Sequence, residues 1–95
     1  MTAMRDLGGR IEVAGAMTMD AAAGLLTEGA ALLAGAGDAV FDLAGVTEVD
    51  SSGLAVVFGW QRAAKRLNKN VHIANLPPNL RSLADVYGVG ALLPL

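Results

Sequence analysis

The sequence contains no cysteine, which excludes disulfide bonds and thiolate chemistry and is typical of a cytoplasmic chain. Aromatic residues are also scarce, at 4% of 95 residues, and the formal net charge is −2. Because few rings are available to stack on bases and no excess of positive charge could neutralise phosphates, we expect no nucleic acid partner.

Long apolar runs are missing as well, although 54% of the residues are hydrophobic and only 17% are charged. The charges are spread so that no uncharged stretch approaches the roughly 18–20 residues needed to cross a bilayer, and we expect no direct membrane insertion. Arg5 and Asp6 stand where the apolar core of a secretory signal would lie, so we expect no such signal. These features predict a cytoplasmic protein.

Small and aliphatic residues are abundant, with Ala, Leu, Gly and Val far exceeding the charged residues. At this length we expect one domain, over residues 1–95, with a modest core. A small domain has little interior in which to bury so much apolar surface. The composition therefore fits either an apolar patch covered by another protein or a well-packed monomer with Ala-rich helices.

Strand-like and helix-like patterns alternate along the chain, which predicts an α/β fold of two packed layers. Alternation or short apolar runs predict strands at 10–14, 39–43 and 71–75, with a turn over 44–48. Helical spacing predicts helices over 21–35, 52–67 and from 77–78 to about 87. Asp20 is the expected N-cap of the first helix, and Gly88 fits the position just after the last one.

The segment "VDSSGLAVVFGW" places Ser51 and Ser52 where a strand gives way to the central helix. Asp50 and Ser51 are favoured caps for the first amides of a helix, which is a purely structural role. The same unpaired amides and the positive end of the helix dipole attract anions, including a phosphoryl group on one of these hydroxyls. Residue chemistry alone leaves both roles open.

Catalysis fits this segment poorly, because a nucleophilic serine needs a base and the surrounding residues do not form G-x-S-x-G. The only histidine, His72, lies within a predicted strand, and Asp42 and Asp50 lie in different elements with nothing to complete a site. No cluster of residues has metal-ligand spacing, and no phosphate-binding glycine loop is present. We therefore expect no enzyme activity, catalytic residue, metal or cofactor.

The stretch "VFDLAGVTEVDSSGLAVVFGWQRAAKRLNKNVHIANL" resembles the core of a STAS domain. The shared pattern is a strand ending in Asp-Leu, a turn, Asp-Ser-Ser-Gly-Leu at the start of a helix, a basic helix end and another strand. It covers about residues 10–90. The resemblance implies a single STAS-like domain over 1–95, with a central mixed β-sheet of about four strands and three to four α-helices packed on it.

The ending "LRSLADVYGVGALLPL" is similar to the MlaB branch of the STAS family. That resemblance implies a cytoplasmic subunit, peripheral to the inner membrane, that binds the MlaF-like ATPase of a phospholipid ABC transporter. The complex, which also holds permease and substrate-binding subunits, maintains outer-membrane lipid asymmetry. The "DSSG" motif, where MlaB proteins often have "DTGG", is closer to the anti-sigma-factor antagonists. The alternative function is therefore an antagonist switched by phosphorylation of Ser51.

On a helical projection the central helix has an apolar arc wider than one core contact requires. A neighbouring helix of the same domain or a partner protein could cover the excess. The resemblance places the partner contact at the start of this helix. We expect Ser51, Ser52, Ala55 and Phe58 to form the centre of a partner-binding surface, with Arg62 at its rim.

Overall fold

The computed structural model describes residues 3–35 and 37–95, which form one sheet and its helices. The strands are β1 (Ala3–Asp6), β2 (Arg10–Met17), β3 (Ala39–Val49) and β4 (Val71–Ala74). The helices are α1 (Met19–Gly35), α2 (Ser51–Arg66) and α3 (Pro78–Val86), followed by a 3-10 turn, η1 (Gly90–Leu92). The predicted α/β fold with a four-stranded sheet and three helices is thus confirmed.

The sheet is mixed and its strands lie in chain order, β1-β2-β3-β4. β1 pairs with β2 antiparallel, whereas β2, β3 and β4 are parallel, as expected for strands joined through crossover helices. In the register Ile11 stands beside Phe41 and Phe41 beside Ile73, and all three side chains are buried. Arg10 and His72, on the opposite face, are exposed. The helices therefore cover one face of the sheet.

The core forms where α1 and α2 pack against each other and against the sheet. The Trp60 ring of α2 stacks on Phe41 of β3, with ring centroids 4.0 Å apart and planes 6° apart. Its indole nitrogen also donates a hydrogen bond of 2.9 Å to the carbonyl of Leu25 in α1. Gly29 leaves room for this ring, because a Cβ there would lie 2.6 Å from Trp60 Cδ1. One aromatic residue thus joins the sheet to both long helices.

Strand β3 is longer than the sequence predicts, and the turn expected at 44–48 is wrong. These residues continue the strand to Val49 and stay paired with β2 through two register shifts. Each shift places an extra β3 residue in the ladder and reverses the side-chain alternation, which hides the strand pattern. Gly45 follows the first register shift, where it pairs with Ala14. Glycine suits this close approach, because a Cβ there would lie 3.1 Å from the carbonyl oxygen of Val13.

Helix boundaries agree with the predictions except at the start of α1. That helix begins at Met19, so Asp20 lies in its first turn and the predicted N-cap is wrong. The end of α3 is as predicted. Gly88 has φ +70°, and the amide of Val89 donates to the carbonyl of Ala84, which forms a Schellman motif.

Candidate partner-binding site at the start of helix α2

Asp50 fixes the beginnings of two helices with one carboxylate. Its Oδ1 accepts a hydrogen bond of 2.8 Å from the amide of Ser52, which caps α2. Its Oδ2 accepts a bond of 3.1 Å from the amide of Met19, the first residue of α1. Because both helices leave neighbouring parallel strands at the same edge of the sheet, their N-terminal ends lie side by side.

These contacts favour the ionised form of Asp50. The Met19 amide, followed by the Ser52 amide and hydroxyl, lowers the pKa of Asp50 below its ordinary value, against the opposing effect of desolvation. The carboxylate is therefore charged at neutral pH and offsets the positive ends of both helix dipoles. An anion arriving at Ser51 meets this negative charge next to it.

The two serines differ in their surroundings. Ser51 is exposed, whereas Ser52 is half-buried behind it. Of the two candidate caps, Asp50 and Ser51, it is Asp50 that caps α2. The hydroxyl of Ser51 is thus displayed to solvent at the first residue of the helix.

The structure also settles which face of α2 is buried. The buried residues of this helix are Gly53, Leu54, Val56, Val57, Trp60 and Ala64. Helices α1 and α3 of the same chain cover the wide apolar arc. Of the predicted surface residues, Ser51, Ala55 and Arg62 are exposed, and Ser52 and Phe58 are half-buried. At 3.6 residues per turn, Ser51, Ala55, Phe58 and Arg62 share one side of α2 and Ser52 lies to the side of the first of them. The role of these five residues in partner binding stays a prediction.

The exposed side of α2 continues to the end of the helix, where it carries positive charge. Lys65 and Arg66 lie in its last turn, where positive charge complements the helix dipole. Nearby, the Lys69 ammonium donates to the carbonyl of Leu33 at 2.6 Å and so joins the ends of α2 and α1. The exposed side of α2 therefore runs from a hydroxyl at its start to cations at its end.

The three titratable residues considered for catalysis lie at different places in the fold. His72 is exposed on β4, Asp42 belongs to a separate hydrogen-bond network, and Asp50 serves as a cap. Within residues 3–35 and 37–95, no group of three His, Cys, Asp or Glu side chains is placed to hold a metal ion. None of the described helices is long and apolar enough to span a membrane.

A scan against family models matches residues 1–94 to the family described as "Mlab, STAS domain". The chain belongs to the STAS family. The match covers almost the whole sequence and is to the MlaB-type model, which agrees with the STAS resemblance of the core and with the MlaB resemblance of the ending "LRSLADVYGVGALLPL". STAS domains are generally regulatory binding domains without catalytic activity. No curated protein sequence matches this chain.

Solved structures confirm the STAS fold at low sequence identity. An anti-sigma factor antagonist from Mycobacterium paratuberculosis is 24% identical, with a TM-score of 0.70 over 100% of this chain and 83% of that one. The antagonist SpoIIAA in its unphosphorylated form is 13% identical, with a TM-score of 0.69 over 90% of this chain and 82% of its own. The phosphorylated form of the Bacillus cell fate determinant SpoIIAA is 14% identical, with a TM-score of 0.70 over 96% and 86%.

Sequence reasoning missed one residue at this site. Met19 is 75% exposed, and its amide is held by Asp50 beside Ser51. The two residues are 31 positions apart, so no local pattern connects them. The signal that could have found Met19 is an apolar residue at the start of a helix that follows the neighbouring parallel strand.

Proposed function

We propose that this STAS domain is a non-enzymatic subunit that binds and regulates the MlaF-like ATPase of a phospholipid ABC transporter. In this proposal it is cytoplasmic and reaches the inner membrane only through its partners, which include the permease and substrate-binding subunits. The complex maintains outer-membrane lipid asymmetry. The MlaB-type family model over residues 1–94 supports this assignment.

The observation that carries the proposal is this MlaB-type family match, and the surface that we assign to the partner centres on the exposed Ser51 hydroxyl at the capped start of α2. Asp50 caps the helix, so the backbone around Ser51 is ordered before a partner arrives, which lowers the entropic cost of association. The small side chain of Ala55 lets a partner approach one turn further on. The half-buried ring of Phe58 adds apolar contact.

Arg62 forms the rim of this surface. It is exposed, and the described residues contain no ion-pair partner for it. A rim charge of this kind contributes orientation and association rate more than affinity. We therefore assign specificity for an acidic patch on the ATPase to Arg62 and most of the binding energy to the centre of the surface.

The test is co-purification of the ATPase with the Ser51→Arg variant. The long charged side chain would occupy the centre of the surface, and we expect co-purification to be lost. Ser82→Arg is the matched control, because Ser82 is an exposed serine on α3 and lies outside the proposed surface. Circular dichroism should be native for both variants. Unchanged co-purification with Ser51→Arg would remove this proposal.

A second function is favoured by one specific observation, the exposed hydroxyl of Ser51 within the antagonist-like "DSSG" motif. In this alternative the chain is an anti-sigma-factor antagonist whose contact with a kinase is controlled by phosphorylation of Ser51. A phosphoryl group would add nearly two negative charges beside Asp50 and alter the surface. Recovery of a serine kinase in a pull-down, with a phosphoryl group on Ser51 by intact mass, would favour this function over transport.

A further inference from the structure

An open cleft of about 590 Å³ lies on the flank of α1, at the carboxyl ends of β2 and β3. Its lining includes the small or apolar residues Ala16, Ala21, Gly24 and Leu25, together with Thr18. Its rim carries three exposed carboxylates, Asp20, Glu28 and Glu48. The crevice at the carboxyl ends of parallel strands is the edge at which α/β sheets commonly bind their ligands.

The rim carboxylates differ from the other acidic residues of the chain. The sequence has nine Asp and Glu residues. Within the described residues, six of the nine accept a hydrogen bond or ion pair: Asp6, Glu12, Asp38, Asp42, Asp50 and Asp85. The three acidic residues without such a partner in the described chain are the three at this cleft. The fold therefore gathers its uncompensated negative charge around one concave surface.

The geometry of the cleft fits a long basic side chain. Asp20 and Glu28 lie two turns apart on one side of α1, and Glu48 approaches from the end of β3. Gly24 lies between the two helical carboxylates, and a Cβ there would meet no atom within 4 Å. A Lys or Arg stem could pack along Ala21 and Gly24 while its charged head reaches the carboxylates.

The cleft is continuous with the surface at the start of α2. Asp20 follows Met19, and the amide of Met19 is held 3.1 Å from Asp50 Oδ2, next to Ser51. We propose that the cleft receives a Lys- or Arg-bearing, partly apolar segment of the protein that binds at Ser51. This assignment rests on the proposed function and identifies that segment as part of the ATPase subunit.

A second copy of this chain fits the cleft less well. Its unpaired cations in the described residues are Arg62, Lys65 and Arg66, on the last two turns of α2. A contact between that end of one copy and the cleft of another is head-to-tail, and such contacts generate rings or open filaments. Self-association that depends on protein concentration and is lost in Glu28→Lys would overturn our assignment in favour of this occupant.

The first experiment tests the cleft without the ATPase. The probe is a capped peptide with three Lys-Leu pairs separated by alanines, and its control is the same peptide with Glu in place of Lys. We expect the Lys peptide alone to bind by fluorescence anisotropy and to shift the amide signals of Gly24, Leu25 and Glu48. The double variant Glu28→Lys/Glu48→Lys should weaken binding by about tenfold, and added salt should weaken it further.

Two variants keep this experiment interpretable. Ala23→Lys introduces a lysine at an exposed position of α1 outside the cleft lining and should bind the Lys peptide as the original chain does. Glu28→Gln/Glu48→Gln removes charge without reversing it and should give an intermediate loss. Equal binding of both peptides, or full binding by the Lys double variant with native circular dichroism, overturns the inference.

The second experiment measures the ATPase subunit itself at low and high salt. We expect Glu28→Lys/Glu48→Lys to weaken ATPase binding by about tenfold at low salt and Ser51→Arg to abolish it. If Ser51→Arg leaves ATPase binding unchanged while the Lys peptide still binds the cleft, the proposed binding of the ATPase at Ser51 is wrong and the cleft inference stands apart from it. If Ser51→Arg abolishes binding while the Lys double variant binds normally, the cleft inference alone fails.

Discussion

At the scale of single residues, Gly29 determines how closely α1 approaches α2. A Cβ at this position would overlap Trp60 Nε1 and lie 2.9 Å from Cε2 of the same ring. We predict that Gly29→Ala destabilises the fold by about 1–3 kcal/mol, because the ring is held by Phe41 and cannot shift freely. Urea unfolding followed by Trp60 fluorescence measures the loss.

Gly24→Ala is the control on the same helix. A Cβ there meets no atom within 4 Å, and alanine has the better helix propensity. We expect this variant to be as stable as the original chain, or more stable by up to about 1 kcal/mol. Equal stability of the two variants would contradict the close packing of Gly29 on Trp60.

At the scale of elements, local periodicity predicts most of the fold. The three helices and the cores of β2, β3 and β4 follow from apolar spacing, and Gly88 follows from the need for positive φ after α3. β1 is missing from the prediction because "AMRD" is short and only one of its four side chains is partly buried. Its place is set by antiparallel pairing with β2, which is a tertiary contact.

The candidate site is predictable only in part for the same reason. A capping Asp and an exposed Ser at a strand–helix junction follow from "VDSSGL" alone. The second contact of Asp50, with the amide of Met19, depends on two helices starting at the same sheet edge. The cleft likewise combines Glu48 of β3 with Glu28 of α1, which no window of sequence brings together.

The segment after α3 is a further element whose role the sequence did not indicate. Leu93 is 8% exposed and belongs to the core, and the adjacent Pro94 carbonyl accepts a bond of 2.7 Å from the Ile73 amide of β4. We predict that Leu93→Ala costs about 2–3 kcal/mol in the free energy of unfolding, since it leaves a cavity beside the sheet. Thermal or urea unfolding measures this value.

Leu92 supplies the matched control, because it is 63% exposed in the same short segment. Leu92→Ala should change the free energy of unfolding by less than about 0.5 kcal/mol. If Leu92→Ala and Leu93→Ala lower the free energy of unfolding equally, Leu93 does not pack in the core as described.

At the scale of the whole molecule, Asp42 connects the three parallel strands. Its Oδ1 accepts hydrogen bonds from Asn75 at 2.9 Å and from the amide of Ala44 at 3.0 Å. Its Oδ2 pairs with Arg10 of β2 at 2.7 Å. The bonds from Asn75 and Ala44, followed by the contact with Arg10, lower the pKa of Asp42 to about 2.

Because of this lowered pKa, the free energy of unfolding of the whole domain decreases at low pH. The carboxyl of Asp42 has an ordinary pKa of 3.8, so the unfolded chain binds its proton more readily than the folded chain does. The stabilisation is complete above about pH 5 and is lost as the pH falls toward 2, and it amounts to at most about 2.5 kcal/mol. Urea unfolding at a series of pH values between about 6 and 2 should show this decline.

The variant Asp42→Asn tests whether Asp42 causes this loss of stability at low pH. It should be less stable than the original chain at neutral pH, because the ion pair with Arg10 is lost, and should lose less stability on acidification. Some decline should remain, since hydrogen bonds to Asp50 and Asp38 also lower their pKa values. Asp85→Asn, which removes an exposed carboxylate from an i,i+4 pair with Arg81, should keep the full decline of the original chain. An acid dependence identical in Asp42→Asn and Asp85→Asn would mean that the carboxylate joining the three strands does not govern the response to acid.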